Sequence, residues 1–312
     1  MKALVIIPWF GPFPAWINAF LTSCAPVTKV DWLIIHDAPA PSEAPPNISF
    51  ISLSWESYRK RFRDRCAVEL PTRPNYKMCD SKVFLGTAFE EVLTGYDYFG
   101  WGDLDVIYGE LDAFLEPLLG KKTVISFHRK LLSNHFVLFR NTPEMRGLYR
   151  EITDYPAKMT ELDYAEMDDY HLSNIAKALP DVRFEESYTT PFVNWMPWTD
   201  GTYNFPIRWE WHRGRLINDL DRGYSFPYFH FMVWKGGQRN YYYPTRNWDK
   251  LSPEALEIGY NARAFAIDLN GICEMREKRV ARGSLMGISE PPVYSLRRRI
   301  YLKVRKWRHW GS

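Results

Sequence analysis

Two carboxylates separated by one residue follow an apolar, aromatic-rich stretch. The stretch is GYDYFGWGDLDVIYGEL, residues 95–111, and the carboxylates are Asp103 and Asp105. Alternate side chains of an extended chain point the same way, so both carboxylates face one side. Mg²⁺ and Mn²⁺ take oxygen ligands, often one or two carboxylates together with substrate phosphates. The pair therefore indicates a divalent-metal site that binds the diphosphate of a nucleotide.

The motif has low specificity by itself, because Asp219-Leu220-Asp221 repeats it in a charged segment. The alternative interpretation is that Asp103 and Asp105 are surface carboxylates that cap the following helix. Context favours the metal interpretation for the first copy, because that copy ends an apolar strand within an alternating α/β pattern, whereas the second follows a predicted hairpin.

The elements that must position the first pair alternate between strands and helices. Short β-branched apolar runs predict strands at 2–7, 30–37, 48–53, 95–105, 122–127 and 135–140, and helical spacing predicts helices at 14–25, 54–66, 79–95, 110–119, 143–152 and 169–179. This order predicts a single α/β domain with a mainly parallel central sheet and flanking helices. Ligands of such sheets bind beyond the carboxyl ends of the strands, where PWFG, HDAP and GDLD fall.

The later part of the chain differs in character. Residues 208–217 predict a hairpin that turns at Arg213-Gly214, and 228–237 predict a strand that leads into a glycine loop. The chain has no glycine-rich dinucleotide loop and no Walker loop, which removes the main support for those nucleotide-binding classes.

The amino-acid composition further limits the classes of protein to which the chain can belong. Aromatic residues make up 16% of the 312 residues, which suits either an aromatic core or a sugar-binding cleft. The four cysteines include no CxxC pair, and no apolar run approaches the ~20 residues of a membrane-spanning helix. We therefore expect a reduced cytoplasmic protein without a zinc site.

Positive charge is concentrated at the C-terminus. Residues 291–312 carry seven Lys and Arg and no acid, so the net charge of +3 becomes −4 for residues 1–290. Apolar residues at steps of three and four predict a basic amphipathic helix at 293–310, which favours binding to an anionic membrane surface. A docked structural helix is one alternative. Nucleic-acid binding is the other, but no nucleic-acid motif supports it.

Several linked motifs resemble a bacterial family of GT-A-type glycosyltransferases of surface-polysaccharide biosynthesis. Residues 75–111 match its Y-K-x-C-D-x-K and D-x-D-V-I-x-G motifs, and the resemblance extends in order over residues 1–240. It also includes VIIPWFGPFPAW, SNHFVLFRN and YFHFMVWKGG, with Asn134 where the family usually has glycine.

The resemblance implies a metal-dependent hexosyltransferase. Its donor would be a nucleotide-diphosphate sugar, with UDP-sugars favoured, and its acceptor a growing, lipid-linked O-antigen or capsule polysaccharide. A GT-A-like catalytic domain would span 1–250, with a nucleotide-binding half at 1–110 and an acceptor half at 111–250, followed by a helical extension at 251–312. The protein would lie at the inner face of the cell membrane. The alternatives are a nucleotidyltransferase acting on sugar phosphates and a non-catalytic carbohydrate-binding protein.

The resemblance also implies roles for the metal residues. Asp103 would lie nearer the ribose, Asp105 would bind Mn²⁺ or Mg²⁺ directly, and His230 would be a third ligand; His230 as a core histidine is the alternative. Candidate donor-binding residues lie at strand ends or near a helix start: Pro8, Trp9, Phe10, Asp37, Lys77, Asp80, Lys82, Asp103 and Lys235. For Asp80 a helix N-cap is the competing interpretation, and for Lys235 a solvated side chain.

The acceptor side requires a base if the transferase inverts configuration. Asp168 and Asp169 are the candidates, although two acids at a helix start also compensate the helix dipole. His171 is a second candidate, and a retaining enzyme would use these residues to bind acceptor. His135 is expected to line the acceptor cleft, together with some of Trp195, Trp198, Trp209 and Trp211.

Overall fold

The structure of the protein is a computed structural model. It describes residues 1–128, 131–161, 163–184, 192–193, 196–197, 206, 208–219, 224–232, 248, 251–268, 270–276 and 284–285. The chain divides into two units. The first contains Met1–Phe13, Thr28–Leu104 and Leu115–Glu185, and the second contains Pro14–Val27, Asp105–Phe114 and Glu186–Ser312.

Strands and short helices alternate through most of the described chain. The strands are β1 (Ala3–Trp9), β2 (Val30–His36), β3 (Ile48–Ser52), β4 (Tyr98–Gly102), β5 (Val106–Tyr108), β6 (Val124–Ser126), β7 (Phe136–Arg140), β8 (Val182–Phe184), β9 (Phe192–Val193), β10 (Met196–Pro197), β11 (Arg208–His212), β12 (Arg215–Asn218), β13 (Tyr224–Ser225), β14 (Tyr228–His230), β15 (Ala264–Asp268), β16 (Gly271–Glu274) and β17 (Ser284–Leu285). The α-helices are α1 (Ile17–Cys24), α2 (Trp55–Cys66), α3 (Met78–Ser81), α4 (Leu85–Ala88), α5 (Leu111–Leu115), α6 (Pro143–Arg146), α7 (Tyr155–Thr160) and α8 (Leu172–Lys177). A π-helical turn, Met167–His171, precedes α8.

The first unit is built on a seven-stranded sheet in the order β3-β2-β1-β4-β7-β6-β8. Strands β1 to β4 run parallel to one another, and β8 runs parallel to β6. Only β7 is antiparallel to its neighbours, β4 and β6. This mixed α/β architecture with a mainly parallel sheet confirms the predicted fold class.

The sequence of β1 explains its central position. Six of its seven residues are buried, as expected for a parallel strand covered on both faces. Pro8 cannot donate a ladder hydrogen bond, yet it lies in this central strand. The pairing with β4 ends at Ile6, so the missing N–H costs no bond on that side.

Helix α2 forms where the sequence predicts it. The Ser54 side chain accepts a hydrogen bond from the Ser57 amide at 3.2 Å, and the left-handed Ala67 (φ 55°) ends the helix. The helix buries one face against the core through Tyr58, Phe62 and Cys66.

The prediction of one continuous helix over 79–95 is wrong. The segment breaks into α3, α4 and two 3-10 turns, Lys82–Phe84 and Glu90–Leu93. Gly86, inside α4, packs closely on β4, since a Cβ there would lie 2.5 Å from the Phe99 ring. Backbone angles at Phe89 (φ −124°, ψ 35°) also leave the helical region.

The second unit contains a four-stranded antiparallel sheet in the order β12-β11-β15-β16. The predicted hairpin is confirmed as β11–β12. Arg213 and Gly214 both have positive φ, 47° and 88°, as a tight two-residue hairpin turn requires. In the same unit β5 pairs antiparallel with β14, β9 with β10, and β13 runs parallel to β17.

Within the described residues no helix combines the length and apolarity needed to cross a bilayer. The predicted basic helix at 293–310 lies outside the described residues, as do Lys235, Trp195 and Trp198.

Candidate functional site

Asp103 follows β4 and contacts a buried lysine. Lys82 Nζ lies 2.6 Å from Asp103 Oδ1 and donates to the Asn134 carbonyl at 3.2 Å. Burial by itself lowers the pKa of Lys82, but the charges of Asp103, Cys79 and Asp168 and the hydrogen bond to Asp103 together outweigh burial, so the pKa is raised. Lys82 is therefore a fixed positive charge at the end of β4.

Asp168 and Asp169 lie in the π-helical turn, and one hydroxyl bonds to both. Tyr164 Oη lies 2.7 Å from Asp168 Oδ1 and 2.7 Å from Asp169 Oδ2. A tyrosine hydroxyl has one proton, so it donates to one carboxylate only. The second contact becomes a hydrogen bond when the other carboxyl is protonated and donates to the tyrosine oxygen. The geometry therefore favours a proton held by the acid pair.

Electrostatics agree with that geometry. Burial is the largest cause that raises the pKa of Asp168 well above its usual value, and the charge of Asp169 is the next. Burial also raises the pKa of Asp169, although hydrogen bonds from Tyr164 and Asn134 oppose the shift. Asp168 is fully buried, and its Oδ2 has no hydrogen-bond partner within the described part of the chain. Both acids are thus stronger proton acceptors than solvated aspartates.

Asn134 connects the acid pair to Lys82. Its side-chain amide donates to Asp169 Oδ1, while its carbonyl accepts from Lys82 Nζ. The first unit therefore brings together the sequence-predicted residues Lys82, Asp103 and Asp169 through one asparagine.

A second buried lysine and aspartate hold the segment that precedes the acid pair. Asp80 accepts from the Ala165 amide and the Met167 amide, both at 2.8 Å. Lys77 Nζ donates to the Lys158 carbonyl at 2.5 Å and to the Asp163 carbonyl at 2.8 Å. The N-cap interpretation of Asp80 is wrong, because its oxygens bond to amides that lie 85 and 87 residues further along the chain.

The ends of β1 and β2 are joined by one hydrogen bond. The Gly11 amide donates to Asp37 Oδ1 at 2.7 Å, and Gly11 has a φ of 109° that favours glycine. Asp37 is exposed. At the end of β1 the indole of Trp9, which is half-buried, donates to the Pro12 carbonyl at 2.9 Å.

The other two candidates at this strand end are Pro8 and Phe10, of which Pro8 is buried within β1 and Phe10 is half-buried. Phe10 packs edge-on against Trp55 and Tyr58, with ring centroids 4.9 Å apart in each case. Phe10 therefore contributes to the core of the first unit.

The second unit places Asp105 against His230. Both side chains are buried, and His230 Nε2 lies 3.3 Å from Asp105 Oδ2. The antiparallel pairing of β5 with β14 produces this contact, and the Phe231 amide donates to the Asp105 carbonyl at 3.1 Å. A carboxylate oxygen and an imidazole nitrogen at this spacing form two potential ligands for one cation.

The remaining acceptor-side candidates differ in exposure. His135 is buried, whereas His171 is half-buried, and burial followed by the charge of Lys158 lowers the pKa of His171. Of the four tryptophans from which some were expected to line the acceptor cleft, Trp209 and Trp211 do not do so, because both indoles are buried in the second unit. Trp209 stacks on Phe229 with ring centroids 4.3 Å apart.

Sequence reasoning missed Tyr164 and the Asn134 side chain as parts of the site. Each reaches the acid pair through a tertiary hydrogen bond, and neither belongs to a motif that indicates catalysis. The one available signal was that Asn134 stands where the resembling family usually has glycine.

The sequence model of a family described as a family of unknown function, DUF6625, matches residues 5–255. No curated protein matches the chain. The apo structure of the WbbM bifunctional glycosyltransferase is similar at 12% identity and a TM-score of 0.39, over 65% of this chain and 40% of that chain. The apo form of mouse xyloside xylosyltransferase 1 is similar at 10% identity and a TM-score of 0.38, over 62% of this chain and 88% of that chain.

Proposed function

The chain belongs to DUF6625, and we propose that it is a metal-dependent glycosyltransferase of GT-A-like architecture. The observation that carries the proposal is the acidic end of β4. Its first carboxylate, on Asp103, contacts the buried ammonium of Lys82, and its second, on Asp105, lies against His230. A metal–diphosphate ligand has a positive charge on the metal and negative charges on the phosphates. The carboxylates at the end of β4 would bind the metal, and the ammonium of Lys82 would attract the diphosphate.

The proposed metal ligands are Asp103, Asp105 and His230, which together offer carboxylate oxygens and one imidazole nitrogen. Asp103 and Asp105 are two positions apart in the sequence, so their Cα atoms lie at most about 7 Å from each other in any backbone conformation. The donor set fits Mn²⁺, which accepts imidazole well, and less closely Mg²⁺, which prefers oxygen. When bound, the cation supplies charge neutralisation for the diphosphate as the sugar leaves it.

Donor binding is assigned to the ends of β1 and β2 and to lysines. Trp9 and Asp37 would contact the base and ribose of a UDP-sugar, with Asp103 near the ribose. Pro8 and Phe10 would support them from the core. Lys82 would place its ammonium near the diphosphate, and Lys235 would do so from the late glycine-containing segment. The donor site would fall in the nucleotide-binding half, residues 1–110, of a catalytic domain over 1–250.

In this proposal Lys77 and Asp80 support the site indirectly and do not touch the donor. Both side chains are fully buried, and their polar atoms already bond to the main chain between residues 158 and 167. Their contribution is to fix the segment that carries the acid pair.

The acid pair would accept the proton of the acceptor hydroxyl. Asp168 or Asp169 in its charged form acts as a general base whose raised pKa strengthens it. His135 and His171 would contact the acceptor, which we propose is a lipid-linked bacterial surface polysaccharide. The basic segment 293–310 would hold the protein at the cytoplasmic face of the membrane, where such acceptors lie.

The test is a screen of nucleotide sugars for Mn²⁺-dependent hydrolysis by the full chain. Wild-type protein is expected to hydrolyse one donor, and Asp105→Asn to lose most of that turnover. Asp64→Asn is the matched control, because it removes an exposed carboxylate on α2 that pairs with Lys60 across one helical turn. Equal turnover by Asp105→Asn and the control would refute the metal assignment. Release of pyrophosphate from a nucleoside triphosphate and a sugar phosphate would indicate a nucleotidyltransferase instead.

A further inference from the structure

Large hydrophobic side chains are rarely exposed among the residues that the structure describes. The three exposed examples are Met1, Tyr76 and Tyr170, with 64%, 62% and 54% of their surface accessible. Single exposed hydrophobic side chains are unremarkable on a protein surface, but Tyr76 packs against the Tyr164 ring beside the acid pair, and Tyr170 directly follows Asp169 in the chain.

Tyr76 reaches the acid pair through one ring contact. Its ring packs edge-on against Tyr164, with centroids 5.2 Å apart and planes at 74°, and the Tyr164 hydroxyl bonds to both acids. After desolvation, the charges of Cys79, Asp168 and Asp169 raise the pKa of the Tyr76 hydroxyl, as their proximity requires.

Tyr170 reaches the pair along the chain. It directly follows Asp169 in the π-helical turn, and its amide donates to the Glu166 carbonyl at 2.9 Å. Its ring meets the His171 ring edge-on, with centroids 5.6 Å apart. Single π turns inside helices recur at functional sites.

Both exposed rings project from well-anchored backbone. Lys77, the neighbour of Tyr76, is held by two main-chain carbonyls and by Asp80, and the Tyr76 carbonyl accepts from the Cys79 amide at 3.1 Å. A rigid aromatic side chain loses little conformational entropy when a ligand covers it.

The polar groups beside the rings identify the class of ligand. Asp169 is half-buried, and its carboxylate offers a hydrogen-bond acceptor to a ligand, whereas the proton that the pair holds is already engaged with the Tyr164 oxygen. The Asn134 amide and the Tyr164 hydroxyl belong to the same network. A neutral hydroxyl can donate a hydrogen bond to a carboxylate oxygen, whereas an anion would be repelled by the carboxylate.

We propose that Tyr76 and Tyr170 form a sugar-binding platform that holds the acceptor glycan beside Asp168 and Asp169. Each ring covers the C–H face of a pyranose, and a hydroxyl group of the sugar reaches the half-buried Asp169. The inference rests on the proposed function, since it names the substrate that this acid pair serves.

The test uses the full chain with methyl glycosides of glucose, galactose, mannose, rhamnose and N-acetylglucosamine, without donor or metal. Saturation-transfer NMR is expected to show transfer to the ring C–H protons of at least one glycoside. Tyr76→Ala and Tyr170→Ala should each weaken its binding about fivefold to tenfold, whereas Tyr76→Phe and Tyr170→Phe should bind within about twofold of wild type. Far-ultraviolet circular dichroism and thermal unfolding establish that each variant is folded.

Three results would overturn the platform: no glycoside binds, the alanine variants bind as tightly as wild type, or tetramethylammonium displaces the sugar at a similar concentration. The last result would indicate a cation site built on the same rings and acids. Failure here is distinguishable from failure of the proposed function. Metal-dependent donor hydrolysis without glycoside binding removes the platform alone, and glycoside binding without donor hydrolysis removes the transferase assignment alone.

Discussion

Lys77 Nζ lies 3.1 Å from Asp80 Oδ2, and neither side chain has any exposed surface. A buried ion pair is stabilising only when its remaining donors and acceptors are also bonded. Here they are, because Lys77 donates to two carbonyls and Asp80 accepts from two amides, all between residues 158 and 167. The pair thus connects α3 to the segment that leads into Asp168 and Asp169.

The first prediction concerns the stability of this pair. Lys77→Met and Asp80→Asn should each lower the free energy of unfolding by about 3–5 kcal/mol, because each leaves one buried charge uncompensated. The double variant should lose less than the sum of the single losses by at least about 1 kcal/mol. Urea denaturation at neutral pH measures all three values. Additive losses would show that the two side chains act independently.

The second prediction concerns Lys82. Lys82→Met should destabilise the protein by about 1–2 kcal/mol, which lies below the range for fully buried pairs because Asp103 retains 33% of its side-chain surface. Lys60→Met is the matched control, since Lys60 pairs with Asp64 on an exposed helix face and should change stability by less than about 0.5 kcal/mol. Equal effects in urea denaturation would contradict a special role for Lys82.

The third prediction is the pH dependence that Asp168 contributes. Its pKa in the folded protein is raised by burial and by Asp169, so above the unfolded value, about 3.9, the folded state holds more protons than the unfolded state. Stability must then fall as pH rises from about 4 toward the folded pKa, by up to about 1.4 kcal/mol per pH unit for one proton.

Asp168→Asn removes that titration while it keeps a side chain able to hydrogen-bond Tyr164. The variant should therefore lose less stability than wild type as pH rises above about 4. Urea denaturation curves at half-unit pH intervals measure the difference. Parallel pH profiles for the two proteins would contradict a raised pKa for Asp168.

The sequence correctly predicted features that depend on residues close to one another in the chain. The apolar run before Asp103 predicted the strand that ends at Gly102, and Arg213-Gly214 predicted the hairpin turn that forms. It was insufficient where contacts join distant segments. Lys77 and Asp80 suggested phosphate and ribose ligands, yet both bond to main chain about 80 residues away, which no local pattern encodes.

The predicted helix over 79–95 is only partly formed. Its apolar residues satisfy helical periodicity, but the backbone leaves the helical region at Phe89 (φ −124°, ψ 35°). Local periodicity does not determine the residue at which a helix ends. The same limit applies to Trp209 and Trp211: composition suggested sugar-binding indoles, but only the folded second unit reveals that both are buried.

The fourth prediction concerns His230. His230→Ala should weaken Mn²⁺ binding by about tenfold or more and Mg²⁺ binding by less, because imidazole suits Mn²⁺ better than Mg²⁺. His212→Ala is the matched control, since His212 is also buried in the second unit but contacts Glu210. Electron paramagnetic resonance of free Mn²⁺ measures the affinity, with Mg²⁺ competition for the second ion. Equal affinities in both variants would place His230 outside the metal site.

The most direct test of the central claim is calorimetric titration of UDP into the full chain with and without Mn²⁺. The metal site predicts that UDP binding is at least tenfold tighter with Mn²⁺, and that Asp105→Asn abolishes this difference while Asp64→Asn preserves it. UDP affinity that is the same with and without Mn²⁺, or a Mn²⁺ effect that survives in Asp105→Asn, would contradict the account.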